Sequence, residues 1–278
     1  MSSTPLAAPL FDTHAHLDFP GLAEDLDGLL ARARAAGVTR IVSIGAGRGP
    51  GTLDGALTIA RRHPGVVWAT VGVHPHDASG LAPAVIDALE SLAADPQVVA
   101  LGETGLDFHY DRSPRDAQRA AFRAQIALAR RVGKPIVVHT RLAPDETLAI
   151  LQEERARDVG GIIHCFSEDA AFAARALDLG FVASFSGLVT FPRAGAIREA
   201  ALKQPLDAIL VETDAPFLAP VPLRGRRAEP AHVAYTADAI AAWRGIAPEE
   251  FRRITTANGC RVYGLPDPST DTRSPRDP

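Results

Sequence analysis

The chain has 278 residues, 46% of them hydrophobic, and 29 Lys+Arg against 33 Asp+Glu give a formal net charge of -4. That length buries a sizeable core as one large domain or two small ones, and the acidic balance excludes the broad basic surface that wrapping duplex DNA requires. Local basic clusters, suited to nucleic-acid ends or single strands, remain allowed. Two cysteines, Cys165 and Cys260, make no disulfide framework. With no signal-peptide pattern at the N-terminus and no run approaching ~20 apolar residues, the expected setting is the cytoplasm, away from membranes. No segment points to a protein partner.

Short apolar, β-branched runs recur along the chain, each followed by a helical pattern. In order they are Leu10–Thr13, Ile41–Ile44, Val66–Val71, Val98–Leu101, Ile136–Val138, Gly161–Ile163, Phe181–Phe185 and Ile209–Val211. Most are apolar nearly throughout, as parallel strands covered on both faces are. Between the first two, Leu22, Leu26, Leu29, Leu30 and Ala33 keep helical spacing up to Gly37, a helix terminator. Ser113-Pro114 reads as an N-cap and N1 proline for a helix whose apolar face carries Phe122, Ile126 and Ala129 and which closes at Gly133. Phe172, Ala176 and Leu177 make another such face before Gly180. Eight strand–helix alternations predict a single (β/α)8 barrel over 1–264, with a doubly wound open sheet as the alternative. Residues 265–278, rich in proline and charge without apolar periodicity, read as a disordered tail.

The chemistry stands at the strand ends. The first run leads into His14-Ala15-His16, the third into His74-Pro75-His76, the fourth into Glu103, the fifth into His139-Thr140-Arg141, the sixth into His164, and the eighth into Glu212-Thr213-Asp214. In extended chain, residues two apart point to one side, so His14 and His16 can grip one ion. In a barrel all strand C-termini meet at one mouth. Four histidines and two carboxylates there (His14, His16, Glu103, His139, His164 and Asp214) form a nitrogen/oxygen set suited to two divalent ions such as zinc, manganese or iron. Magnesium, which prefers oxygen, is less natural among imidazoles. A single strand-end histidine is usually a hydrogen-bonded structural residue, but six ligand types on five of eight strand ends are not explained as independent accidents. His63 reads as a surface turn residue, and His109 and His232 stay open.

Taken together, DTHAHLD at 12–18, GVHPH at 72–76, GETGLDFHY at 102–110, KPIVVHTR at 134–141, GIIHCFS at 161–167, SFSGLVTF at 184–191 and ETDAPFLAP at 212–220 resemble the TatD family of metal-dependent nucleases, from Phe11 to about Gly264. The resemblance implies that His14, His16 and Asp214 hold a first metal and that His139 and His164 hold a second. It makes Glu103 the bridging carboxylate and gives His74 a place against substrate. The sequence departs from the family at Ala228, where an asparagine is usual, and at Glu168, where a glycine is usual. Both changes are expected to act on substrate preference.

Two ions about 3.5–4 Å apart acidify a shared water and stabilise the attacking and leaving oxygens of a displacement, with Asp214 as the expected general base. Arg141 is a candidate phosphate clamp, and Arg224, Arg226 and Arg227 make a basic loop that favours an anionic substrate. Asp12, Asp18 and Asp107 flank ligand segments and are candidates to orient imidazoles. The expected activity is hydrolysis of phosphodiester bonds at DNA ends or in single strands, of the 3′-5′ exonuclease type that the resemblance implies. A deacylase-type hydrolysis of another ester or amide is the alternative, and a non-catalytic metal-binding scaffold the remaining one.

Overall fold

In the computed structural model, which describes residues 8–46 and 52–268, all eight expected strands form. They are β1 (Leu10–Ala15), β2 (Val38–Ser43), β3 (Val67–Val71), β4 (Val98–Asp107), β5 (Ile136–Arg141), β6 (Gly161–Ile163), β7 (Phe181–Phe185) and β8 (Ile209–Val211). Each pairs in parallel with the next in chain order. A bridge between Ala15 and Ala215 brings the last strand end back to the first, so the architecture is a (β/α)8 barrel rather than an open sheet. The helices that alternate with the strands are α1 (Leu26–Ala35), α2 (Gly55–Arg62), α3 (Pro83–Ala93), α4 (Arg115–Val132), α5 (Pro144–Glu153), α6 (Ala170–Asp178), α7 (Gly195–Lys203) and α8 (Val233–Arg244), followed by α9 (Pro248–Val262). None is long and apolar enough to cross a membrane.

The apolar strand runs explain the layering. Outward-facing Leu10, Ile41, Val71, Leu101, Ile136 and Ile163 pack against helix residues such as Leu29, Leu57, Leu89, Phe122 and Leu148 in one continuous core. Phe11, Val42, Trp68, Val99, Val137, Ile162, Val182 and Leu210 alternate with them and form a second cluster, as period-two side-chain geometry requires. Helix α9 closes over β1. Gly259 is needed there, because a Cβ at that position would lie 2.8 Å from the Phe11 ring, and Tyr263 donates its hydroxyl to the Thr13 carbonyl at 2.8 Å.

Three local readings change. Strand β4 runs on through Glu103 to Asp107 instead of stopping at Leu101, because Gly102 and Gly105 hide a strand whose partner β5 holds it in register. Ser113 is not the cap of α4, whose flanking residue is Pro114. Its hydroxyl instead donates to the His76 carbonyl at 2.8 Å and accepts from the Ser79 N–H, tying the loop after β3 to the start of α4. Beyond α9, Leu265 N–H donates to the Cys260 carbonyl and Pro266 O accepts from Arg40. Residues 269–278 of the expected tail lie outside the described residues.

Candidate metal centre

Register puts the expected ligands at the mouth. Between Leu101 and Thr104 strand β4 advances three residues while β5 advances two, from Ile136 to Val138. This bulge re-aims one side chain, and that side chain is Glu103, 2% exposed. Gly105 then lets the strands close again: a Cβ there would sit 2.0 Å from the His139 carbonyl, at φ +138°. Strand β1 shows the same device, advancing from Asp12 to Ala15 while β2 advances from Ile41 to Ser43, which places His14 at the turn inward.

Glu103 divides its oxygens between two sets of imidazoles. Oε2 lies 3.5 Å from His14 Nε2 and 3.7 Å from His16 Nε2. Oε1 lies 2.7 Å from His164 Nε2, 2.9 Å from His139 Nδ1 and 3.2 Å from His74 Nε2. Asp214 joins the first set, with Oδ1 3.4 Å from His16 Nε2 and 3.7 Å from His14 Nε2. His14, His16 and Asp214 therefore converge as one group able to hold a metal ion, and His74, Glu103 and His139 as another. His164 stacks on His14 with centroids 3.9 Å apart and, with Glu212, forms a third grouping with His14.

These groups do not satisfy one another. His14 Nδ1, Glu103 Oε2, His164 Nδ1 and Glu212 Oε2 are buried without a hydrogen-bond partner, an arrangement that costs free energy unless something else binds there. Imidazole nitrogens approach to 3.3 Å between His139 and His164 and 3.4 Å between His14 and His16. A donor set of imidazoles and carboxylates, crowded and partly unpartnered, fits divalent cations. Without them the positive charge falls to protons. Burial pushes His164 down, but Glu103 and Glu212 on either side hold it well above the ordinary imidazole value. His16 and His139 also end above it despite burial, through Asp214 and Glu103 in one case and Asp107 and Glu103 in the other. Burial, then the charge on stacked His164, holds His14 below it. Glu103 and Asp214, which burial would raise, are brought below the ordinary carboxylate value by the surrounding histidines.

Two carboxylates that the sequence marks only weakly frame this cluster. Asp107 Oδ2 lies 3.1 Å from His139 Nε2 and 2.9 Å from His76 Nε2, so one oxygen orients two rings, as outer carboxylates do for metal-binding imidazoles. Glu212, fully buried, accepts from Cys165 N–H at 2.7 Å and stands 3.4 Å from His164 Nδ1. Its only signal is a carboxylate closing an apolar strand. Asp12 turns to another task. Oδ1 accepts from Thr213 N–H at 2.8 Å and Oδ2 from the Thr213 hydroxyl at 2.6 Å, clasping β1 to the end of β8 so that His14 and Asp214 stay adjacent. Burial raises its pKa to about 8, against those hydrogen bonds.

Other candidates take different places. His74 Nδ1 accepts from His76 N–H at 3.1 Å, so Nε2 carries the proton and donates to Glu103. Burial, with His139 and His76 alongside, brings its pKa down to about 4. It touches the carboxylate first, and its side chain is 14% exposed toward the mouth. Arg141 is exposed and does not enter the cluster; its guanidinium lies over the Tyr110 ring, 4.8 Å from the centroid. His63 is half-buried at the end of α2. His232 Nδ1 accepts from Glu229 N–H in a capping arrangement before α8, a structural role. Ala228 is fully buried and packs in the core. Glu168 is half-buried, and burial and then Asp169 raise its pKa.

Comparison with known proteins bears on the family and the fold. The family model described as TatD related DNase matches residues 11–264. The uncharacterized metal-dependent hydrolase YabD of Bacillus subtilis is 42% identical over 92% of this chain and 99% of its own. A Klebsiella pneumoniae protein named 3'-5' ssDNA/RNA exonuclease TatD is 38% identical over 92% of this chain and 98% of its own. Among solved structures, the TatD homologue YJJV of Escherichia coli superimposes with a TM-score of 0.85 at 27% identity, covering 92% of this chain and 98% of that one. The chain belongs to the TatD-related DNase family and is a metal-dependent hydrolase of that family.

Proposed function

We propose that the protein hydrolyses phosphodiester bonds in nucleic acid, trimming DNA ends or single strands in the 3′-5′ direction, in the cytoplasm. The carrying observation is Glu103, whose two oxygens face two separate imidazole sets. Relatives named as 3'-5' ssDNA/RNA exonucleases support the substrate class. On this reading His14, His16 and Asp214 hold one divalent ion and His139 and His164 the other, with Glu103 between them. Zinc, manganese or iron suits the imidazoles better than magnesium. When bound, such ions acidify a water and neutralise charge on phosphoryl oxygens.

The chain's own groups do the rest. Asp214 is ionised at neutral pH, since the neighbouring histidines outweigh its burial, and accepts a proton from the attacking water. The water oxygen bonds to phosphorus, the bond from phosphorus to the 3′-oxygen of the penultimate nucleotide breaks, and the proton passes to that oxygen. Asp107 holds His139 in place by a hydrogen bond, and Glu212, 3.4 Å from His164 Nδ1, sets negative charge beside that ring. His74 steadies Glu103 and presents its exposed edge to the passing strand. Arg141, outside the cluster, meets the phosphate backbone.

The test is incubation of metal-loaded protein with 5′-labelled single-stranded DNA beside a panel of acyl esters. Stepwise shortening of the strand with release of mononucleotides is expected. DNA left intact while an ester is cleaved overturns the nuclease reading in favour of a deacylase-type reaction.

A further inference from the structure

One exposed ring at the mouth collects cations that nothing else in the described structure engages. Tyr110 lies between β4 and α4 and is 51% exposed. Its backbone is pinned by Asp107, whose Oδ1 accepts from the N–H groups of His109 at 3.0 Å and Tyr110 at 2.8 Å. The other oxygen of that carboxylate meets His76 and His139, so the loop is fixed relative to the metal centre. The ring stands edge-to-face against His109 at 4.8 Å and His76 at 5.5 Å. The Arg141 guanidinium lies 4.8 Å from its centroid and that of Arg112 5.4 Å.

Neither arginine has a carboxylate partner among the described residues, whereas Arg119, Arg123, Arg130 and Arg131 on α4 are all ion-paired. A ring kept for the core would be buried, and this one is not. An exposed ring with two guanidiniums instead matches what single-stranded nucleic acid offers. Its unstacked bases lie on aromatic and guanidinium planes, and its phosphates take the arginine fork.

We propose that Tyr110, Arg112 and Arg141 form a nucleotide subsite for the strand being trimmed. The base next to the terminal one stacks on Tyr110, and Arg112 and Arg141 donate to the phosphates on its two sides. The assignment rests on the nuclease reading and adds to it the surface that holds the strand.

The test measures kcat/KM of the metal-loaded enzyme for release of the first nucleotide from single-stranded dodecamers. In one series a tetrahydrofuran abasic unit replaces each of the last four bases in turn. Tyr110→Ala is expected to lower kcat/KM about tenfold on the fully based strand, the scale of one base–aromatic stack, mainly through KM. With the base next to the terminal one removed, the same substitution is expected to cost less than about twofold. Tyr110→Trp restores the loss. Arg112→Ala and Arg141→Ala each flatten the dependence of log affinity on log salt by about 0.7. A Tyr110→Ala loss that is the same at every abasic position, or no loss at all, overturns the subsite and leaves the nuclease reading standing. A wild-type enzyme that releases no nucleotide removes both.

Discussion

Two regions of this barrel treat charge in opposite ways. On helices α3 to α6, charges close on one another. Arg119 bridges to Glu146 and Asp116, Arg123 to Glu153 and Glu154, Arg131 to Glu90 and Arg175 to Asp145, stapling α3, α4, α5 and α6 side to side. At the mouth, charges stay open. Glu103 and Glu212 each bury an oxygen without a partner, and among the described residues Arg112, Arg141, Arg224, Arg226 and Arg227 are in no ion pair. The difference is between charge used for holding the fold and charge left open. On the proposed function, the open charge inside the mouth serves cations and that on the rim serves anions.

The comparison breaks or holds at its centre first. Asp214→Asn is expected to lower turnover ~10²–10⁴-fold, the scale of a lost general base, while circular dichroism and melting temperature stay near wild type. A variant that fails to fold would move Asp214 from the open charges to the structural ones.

Metal is the next largest effect. At about 100 times its Kd, a ligand that binds only the native state adds about 2.7 kcal/mol, or roughly 5–10 °C in Tm for a domain of this size. The pH dependence should also reverse. In metal-free protein His16, His139 and His164 have native pKa values above their unfolded value of about 6.5. Their stabilising contribution is complete below about pH 6.5 and is lost as pH rises through the raised native values. Metal-loaded protein should instead lose Tm on acidification, since protons compete for the same nitrogens. Melting curves from pH 6 to 9 with and without chelator decide it, and parallel slopes would mean that these nitrogens do not bind the metal.

On the rim, replacing Arg224, Arg226 and Arg227 together by alanine should weaken single-strand binding and reduce its salt slope by about 0.7 per arginine. An unchanged slope would place that loop off the substrate path. The smallest effect belongs to the outer ring. Arg131→Ala removes an exposed pair with Glu90 and is expected to cost under about 1 kcal/mol, with no change in kcat/KM.

Much of this was legible in the sequence, because apolar runs and the ligand types after them are local signals. The eight strands and the candidate ligands His14, His16, Glu103, His139, His164 and Asp214 stand on one-dimensional patterns. What the sequence leaves less specific depends on partners far along the chain. Asp107 reads as one of three acids that are candidates to orient imidazoles, and β5, which brings His139 to it across 32 positions, singles it out. Glu212 gains meaning only beside His164, and Ser113 only beside the His76 loop. Strand β4 reads as finished at Leu101 because glycines conceal extended chain, and strand periodicity does not show that Arg141 lies over Tyr110 of the neighbouring loop.

The clasp between the two ends of the barrel has a consequence for cooperativity. Asp12 and Thr213 are 201 positions apart, and contacts of that separation form late and slowly in folding. On the proposed function, the group of His14, His16 and Asp214 is therefore complete only once the two ends of the barrel have closed on each other.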